Sequence, residues 1–181
     1  MENPVKETLD LRDAVAADAA AIADIFNESI LAATATMVVT PQTAADIRRQ
    51  MAGFTNREGY VVLERAGEVI GWGAFKLYSP RGGYNRCAET SVFLRRTESG
   101  RGLGSRVVQA LIERCREAGY RHLIARVWAD NEASRALFRK MGFEVVGIQR
   151  DIGYIGGHWQ DIAILQLVLE DVGPEVAERF F

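Results

Sequence analysis

The spacing of apolar positions along the chain changes period several times, and each change marks an element. Residues 8–14 alternate over a short stretch, as a first strand would. From residue 18 the period lengthens. Ile22, Ile25, Phe26 and Ile30 fall on one helical face, with Asp18 placed to cap its start. Pro41, Gln42 and Thr43 open a shorter helix that ends near Gly53. Residues 61–65 and 69–75 read as strands joined by Ala66, Gly67 and Glu68, a glycine-containing hairpin loop. A turn-rich loop over 79–85 precedes another strand over 86–94. Residues 102–118 carry the strongest helical stripe, made by Val107, Val108, Leu111, Ile112 and Cys115. A strand over 122–127 and a helix over 131–141 follow. That helix closes on Gly142, suited to a left-handed cap, and on Phe143 as its apolar contact. Two last strands are expected near 144–149 and 160–169. The pattern predicts a mixed α/β or α+β domain built on one sheet, over residues 8–170, with 1–7 and 171–181 as terminal extensions.

Composition narrows the class without naming a chemistry. At 181 residues the chain suits one domain, and 48% apolar with 25% charged residues argues against disorder. Lys and Arg number 22 against 24 Asp and Glu, so no global charge invites nucleic acid or an anionic membrane. No run approaches the roughly 18 apolar residues of a membrane helix, since Asp18 and Asp24 interrupt the best stretch. Met1 to Glu7 lacks the apolar run of a signal peptide, so a cytoplasmic location is expected. The two cysteines form neither a disulfide framework nor part of a metal site, and Cys115 belongs to the helical stripe.

Three segments carry candidate chemistry. In the first, Ser99-Gly100-Arg101-Gly102-Leu103-Gly104-Ser105 follows a strand directly and opens the strongest helix. Such a loop presents backbone N–H groups at a positive helix end and lets a ligand approach closely, which suits phosphate or pyrophosphate. Taken alone it is also what a tight strand–helix turn requires. No Gly-Lys-Ser/Thr follows, so it is not a Walker loop, and no regular βαβ series makes it a dinucleotide fingerprint.

The second is Glu89, a carboxylate inside the strand Cys87-Ala88-Glu89-Thr90-Ser91-Val92-Phe93-Leu94. Burying it unpaired would be costly, so it is either solvent-facing or a general base with a raised pKa aimed into a site. Alternation puts Glu89, Ser91 and Phe93 on one face and Thr90, Val92 and Leu94 on the other. The third is the helix after Asn131, whose cap has an amide to spare for a ligand; Arg135 and Arg139 lie one turn apart, and Phe138 is most simply core.

Together these segments resemble the Gcn5-related N-acetyltransferase (GNAT) superfamily, whose Gln/Arg-x-x-Gly-x-Gly/Ala loop binds the pyrophosphate of acetyl-coenzyme A. The helix opening with Asn131 and closing Leu137-Phe138, then Gly142-Phe143, resembles that family's next motif. Within the superfamily the chain is similar to the phosphinothricin and methionine sulfoximine N-acetyltransferases. The likeness rests on Asn27, Thr40-Pro41-Gln42-Thr43, Arg81-Gly82-Gly83-Tyr84, Glu89 to Leu94, Gly102 to Ser105, and Gly157-His158-Trp159-Gln160-Asp161. Three positions depart from the pattern. Ser99 stands where Gln or Arg is usual, and Met37 replaces an aromatic residue. Phe138 occupies the place of a Tyr that protonates the departing thiolate in many relatives.

The resemblance implies an α+β, three-layer fold: one mixed, mostly antiparallel sheet with a splayed central pair and helices on both faces. It implies transfer of acetyl from acetyl-CoA to the α-amine of a small amino-acid-like substrate, with Glu89 as base and no metal. Cofactor contacts would come from Val92, Phe93, Leu94, Ser99, Gly100, Arg101, Gly102, Leu103, Gly104, Ser105 and Asn131. Substrate contacts would come from Ser79, Pro80, Arg81 and Tyr84, while Arg86 reads as a solvated loop arginine. Cys87 reads as a strand residue rather than an acyl carrier. His158 and Trp159 would line the pocket or anchor a homodimer. A detoxification role would follow from such substrates. Acetylation of a protein N-terminus or another amine, or non-catalytic sensing of acetyl-CoA, are the alternatives.

Overall fold

The computed structural model describes residues 8–173. Seven strands form one sheet in the order β1-β2-β3-β4-β5-β7-β6. They are β1 (Leu9–Asp13), β2 (Gly59–Arg65), β3 (Glu68–Leu77), β4 (Cys87–Leu94), β5 (His122–Trp128), β6 (Glu144–Ile155) and β7 (His158–Val168). Neighbours run antiparallel except β4 and β5, which run parallel. Helices α1 (Ala19–Ala32) and α2 (Ala44–Ala52) cover one face; α3 (Leu103–Glu117) and α4 (Glu132–Lys140) cover the other.

The central strands are apolar on both sides because both sides are covered. In β2, Tyr60 and Val62 point to the α1–α2 layer while Val61 and Leu63 point to α3. The stripe Val107, Val108, Leu111, Ile112 and Cys115 is buried as its spacing predicts. Each such aliphatic side chain contributes about 1.5–3 kcal/mol by leaving water. Gly73 allows the close seating of α3: a Cβ there would lie 2.8 Å from Leu111 Cδ1 and Val107 Cγ1.

Several expectations change in the structure. Asp18 precedes α1 but gives its helix no side-chain cap. Its carboxylate accepts instead from the Val15 N–H at 2.7 Å and from Arg12 at 2.7 and 2.9 Å. A charged guanidinium is a stronger donor than the amides of the first turn, and it wins the carboxylate. β6 runs on to Ile155, and β7 begins at His158 across a Gly156-Gly157 turn. Register irregularities between Val145 and Gly147 and between Gln149 and Gly153 break the alternation that would have announced the longer strand. The loop over 79–85 contains a short 3-10 turn, Gly82–Tyr84. Residues 1–7, and 174–181 of the expected C-terminal extension, lie outside the described residues. Among those described, no helix is long and apolar enough to cross a membrane.

Candidate active site

The parallel ladder between β4 and β5 is short. It pairs Cys87 with His122 through Thr90 with Ala125, and there it ends. Beyond that point β4 continues beside β3, from Ser91 opposite Ala74 to Leu94 opposite Gly71. β5 continues beside β7, from Arg126 opposite Ile164 to Trp128 opposite Ile162. The two strands therefore part in the middle of the sheet. Val92, Phe93 and Leu94 form one wall of the opening.

A 3-10 turn, Arg96–Glu98, leads from β4 into the glycine loop. Gly100 and Gly102 adopt left-handed backbone, φ +77° and +75°, which the absence of a side chain permits. Gly102 is the N-cap of α3, and no side chain caps this helix. The contrast with its neighbours is informative. Thr43 caps α2 by accepting from the Asp46 N–H, and Asn131 caps α4 by accepting from the Ser134 N–H at 3.0 Å. At α3 a Cβ added to Gly100 or Gly102 would meet nothing within 4 Å, so the space before the helix is open. An uncapped helix start with open space before it fits the pyrophosphate of a coenzyme. Glu98 ties the loop down, 2.7 Å from Arg65 and 3.5 Å from Arg101, and the Arg65 bond holds its carboxyl below the usual range. α4 closes on the same terminus, since a Cβ on Gly104 would lie 2.8 Å from Leu137 Cδ2.

Glu89 lies on the α1–α2 face of β4, the side on which Phe93 meets Phe26 and Trp72. Its carboxylate is not an unpaired buried group. Arg126 donates from Nε to Oε1 at 2.9 Å and from Nη2 to Oε2 at 2.6 Å. The pair is partly open, with 31% of the Glu89 side chain and 53% of the Arg126 side chain exposed. The pair is open enough to solvent for a ligand carboxylate to compete for the guanidinium. On the opposite flank, Lys76 is the register partner of Glu89 in β3. Its ammonium bonds Gln50 Oε1 at 3.3 Å and lies over the rings of Phe54 and Tyr60. Burial pushes the Lys76 pKa down, against the pull of Glu89 and Glu58. Cys87, next but one to Glu89, has its thiol pushed up to about 11 by burial, with Glu89 adding to the effect. A thiol so protonated is a poor nucleophile.

The remaining expected residues divide. Arg81 and Tyr84 sit in the exposed β3–β4 loop, where Tyr84 meets the Tyr78 ring at 5.4 Å and the Ser79 hydroxyl accepts from the Arg81 N–H at 3.3 Å; Pro80 lies between them. Asn131 caps α4 as expected, but its amide is not spare: it points at the Thr34 carbonyl, 3.5 Å away. Phe138 is core, 2% exposed, in edge contact with Phe143. Arg86 is not simply solvated, because it donates to the Gly173 carbonyl at 3.3 Å. Trp159 is exposed on the β6–β7 hairpin beside Tyr154. Asn27 and Gln42 exchange two bonds, of 2.8 and 2.7 Å, that brace the segment between α1 and α2. Met37 of that segment rests against Gly153 of β6. Arg126 and Lys76 are the residues that reading the sequence misses; only their sheet register relates them to Glu89. Among the described residues no group of three or more His, Cys, Asp or Glu could hold a metal.

A parallel strand pair that parts beside an uncapped, glycine-flanked helix fits the architecture of the acyl-coenzyme A transferases. Residues 23–143 match the model of the acetyltransferase (GNAT) family, and the chain belongs to that family. It is an acetyl-CoA-dependent N-acetyltransferase. The L-methionine sulfoximine/L-methionine sulfone acetyltransferase of Pseudomonas aeruginosa is 36% identical over 165 residues, covering 88% of this chain and 94% of that protein. The L-amino acid N-acyltransferase of Escherichia coli is 32% identical, covering 90% and 95%. The crystal structure of a phosphinothricin acetyltransferase from Sinorhizobium meliloti in complex with acetyl-CoA superposes with a TM-score of 0.83 at 33% identity, covering 93% and 97%.

Proposed function

We propose that this enzyme acetylates the α-amine of a small amino acid of the methionine sulfoximine, methionine sulfone or phosphinothricin type, with Glu89 as the general base. The position of Glu89 where the β4–β5 ladder ends carries the reading. From there a carboxylate reaches an amine that approaches from the α1–α2 side. The named substrates of relatives at 36% and 33% identity supply the substrate class.

The substrate amine arrives as an ammonium and must lose a proton before it can attack. Glu89 takes that proton, directly or through water. The nitrogen lone pair then forms a bond to the thioester carbonyl carbon. A backbone N–H among Val92, Phe93 and Leu94 receives the developing oxyanion; removing one such donor typically costs about 3–4 kcal/mol. Collapse breaks the C–S bond, the thiolate leaves and takes up a proton, and the amide nitrogen sheds its second proton. In total one ammonium and one thioester give one amide, one thiol and one released proton. The N–H groups of residues 100–105 would hold the pyrophosphate with Ser99 beside them, and Asn131 would join only by releasing its amide from the Thr34 carbonyl. Arg81, with Ser79, Pro80 and Tyr84, meets the far end of the substrate.

The catalytic unit spans residues 8–170. A homodimer is part of the same reading, supported by the exposed apolar row Val145, Val146, Ile148, Ile152 and Tyr154 on edge strand β6. The test is a panel of amino acids, sulfoximines, sulfones and simple amines, followed by release of free CoA. Release with the sulfone and sulfoximine supports the reading. Acetyl-CoA binding without release for any amine rejects it in favour of a sensor.

A further inference from the structure

We propose that Arg126 is the receptor for the α-carboxylate of the substrate, and that its bond to Glu89 is the resting form of the site, which the substrate opens. This rests on the amino-acid acetyltransferase reading above and adds the residue that makes it selective.

Arg126 is the first residue of β5 beyond the last pair of the parallel ladder, so it stands at the mouth of the opening between the strands. Alternation gives it the same face as Ile124, the register partner of Glu89, which explains why the two side chains meet. The contact uses two guanidinium N–H groups on two carboxylate oxygens, the geometry by which arginine recognises any carboxylate. About half of the side chain is exposed, so a ligand can reach it.

Charge bookkeeping selects the ligand. At rest, Glu89 stands between two cations, Arg126 on β5 and Lys76 on β3. Lys76 is held by Gln50 beneath two aromatic rings, so Arg126 is the cation free to change partner. An α-amino acid brings an ammonium and a carboxylate on one carbon. When it enters, the ammonium takes Glu89 and the carboxylate takes Arg126. Both resident charges stay paired and the net charge of the site does not change. Because Arg126 and Glu89 are in contact, they match charges separated by one carbon better than charges held further apart. A simple amine offers nothing to Arg126 and leaves Glu89 engaged. The ion pair thus withholds the base until an acceptor carrying its own carboxylate arrives. Arg81, on the β3–β4 loop, is left for the distal group.

The test compares L-methionine sulfone with 3-(methylsulfonyl)propylamine, the same molecule without its carboxylate, by CoA release in the wild type, Arg126→Ala and Arg126→Lys. The wild type is expected to prefer the amino acid by about 100-fold or more in kcat/KM. Arg126→Ala should raise KM for the sulfone, with a loss of kcat/KM exceeding that for the amine by about 30-fold, and Arg126→Lys should recover part of the preference. Equal losses for the two acceptors would mean that Arg126 only positions Glu89, and would overturn the proposal. So would a wild type that uses both acceptors alike, or a preference that survives in Arg126→Ala. Acetyl-CoA binding measured by calorimetry checks that each variant is folded. If the wild type acetylates neither acceptor, the amino-acid reading itself fails; a preference untouched by the substitutions fails Arg126 alone.

Discussion

Lys76 and Glu89 stand opposite one another in the β3–β4 register, with their side chains on the same face of the sheet. The ammonium is desolvated and its pKa lies below the ordinary 10.5. A lysine whose folded-state pKa is lowered binds its proton more weakly in the fold than in the unfolded chain. Stability therefore rises with pH between the folded value and 10.5. The stability of the wild type relative to Lys76→Met should climb as pH goes from 7 toward 10, measured by urea unfolding. A flat difference would show that burial does not act on this group.

Glu89→Gln keeps the size of the side chain and removes the carboxylate proposed as the base. The partly exposed pair with Arg126 adds little to stability, so the melting temperature should stay close to that of the wild type. Acetyl-CoA affinity should be retained, because Glu89 is not among the proposed coenzyme contacts, which are residues 92–94 of β4 and the glycine loop. Turnover should fall about 100-fold or more and depend more steeply on pH. Calorimetry with acetyl-CoA and a CoA-release assay check the two halves, and unchanged turnover would remove Glu89 from the mechanism.

Gly102→Val tests the helix terminus. A Cβ at Gly102 meets no atom of the described residues within 4 Å, so the substitution creates no clash with them. The φ of +75° instead imposes strain of about 1–3 kcal/mol on a β-branched residue, and the side chain would enter the space proposed for the coenzyme. Acetyl-CoA affinity should drop at least tenfold, while KM for the amine changes less. Calorimetry and steady-state kinetics separate the two effects.

Arg12→Ala leaves the Asp18 carboxylate, 8% exposed, without its guanidinium, at a cost of about 1–3 kcal/mol. The bond to Arg12 holds the Asp18 pKa below its ordinary value. Its contribution is therefore complete above about pH 4 and is lost as pH falls through the lower folded value. The stability gap between wild type and variant should be widest near neutrality and narrow in acid. Chemical unfolding at a series of pH values reads it directly.

Where the sequence is legible, one short segment contains its own explanation. The stripe from Val107 to Cys115 sets α3, the Gly67 loop sets the β2–β3 hairpin, and Gly100 and Gly102 mark the open helix start. Glu89 stands out because a carboxylate is out of place inside a strand. What escapes notice is assembled across the sheet. Arg126 is 37 positions from Glu89, and their meeting depends on the Glu89–Ile124 register, which no local pattern encodes. Asp18 is misread for a related reason: whether it caps α1 depends on Arg12, a competitor on another element. β6 is underestimated because its irregularities shift the alternation out of phase, and as an edge strand it has no buried face to restore it.

The missing cap at α3 has a consequence beyond binding. Among the described residues no side chain caps that helix, so its first N–H groups are open to an anionic ligand such as the pyrophosphate of the proposed coenzyme site. A ligand held only by the folded form raises stability by RT ln(1 + [L]/Kd), about 2.7 kcal/mol at a hundredfold excess over Kd. Saturating acetyl-CoA should therefore raise the midpoint of chemical unfolding, and a protein stripped of it should open first at the start of α3.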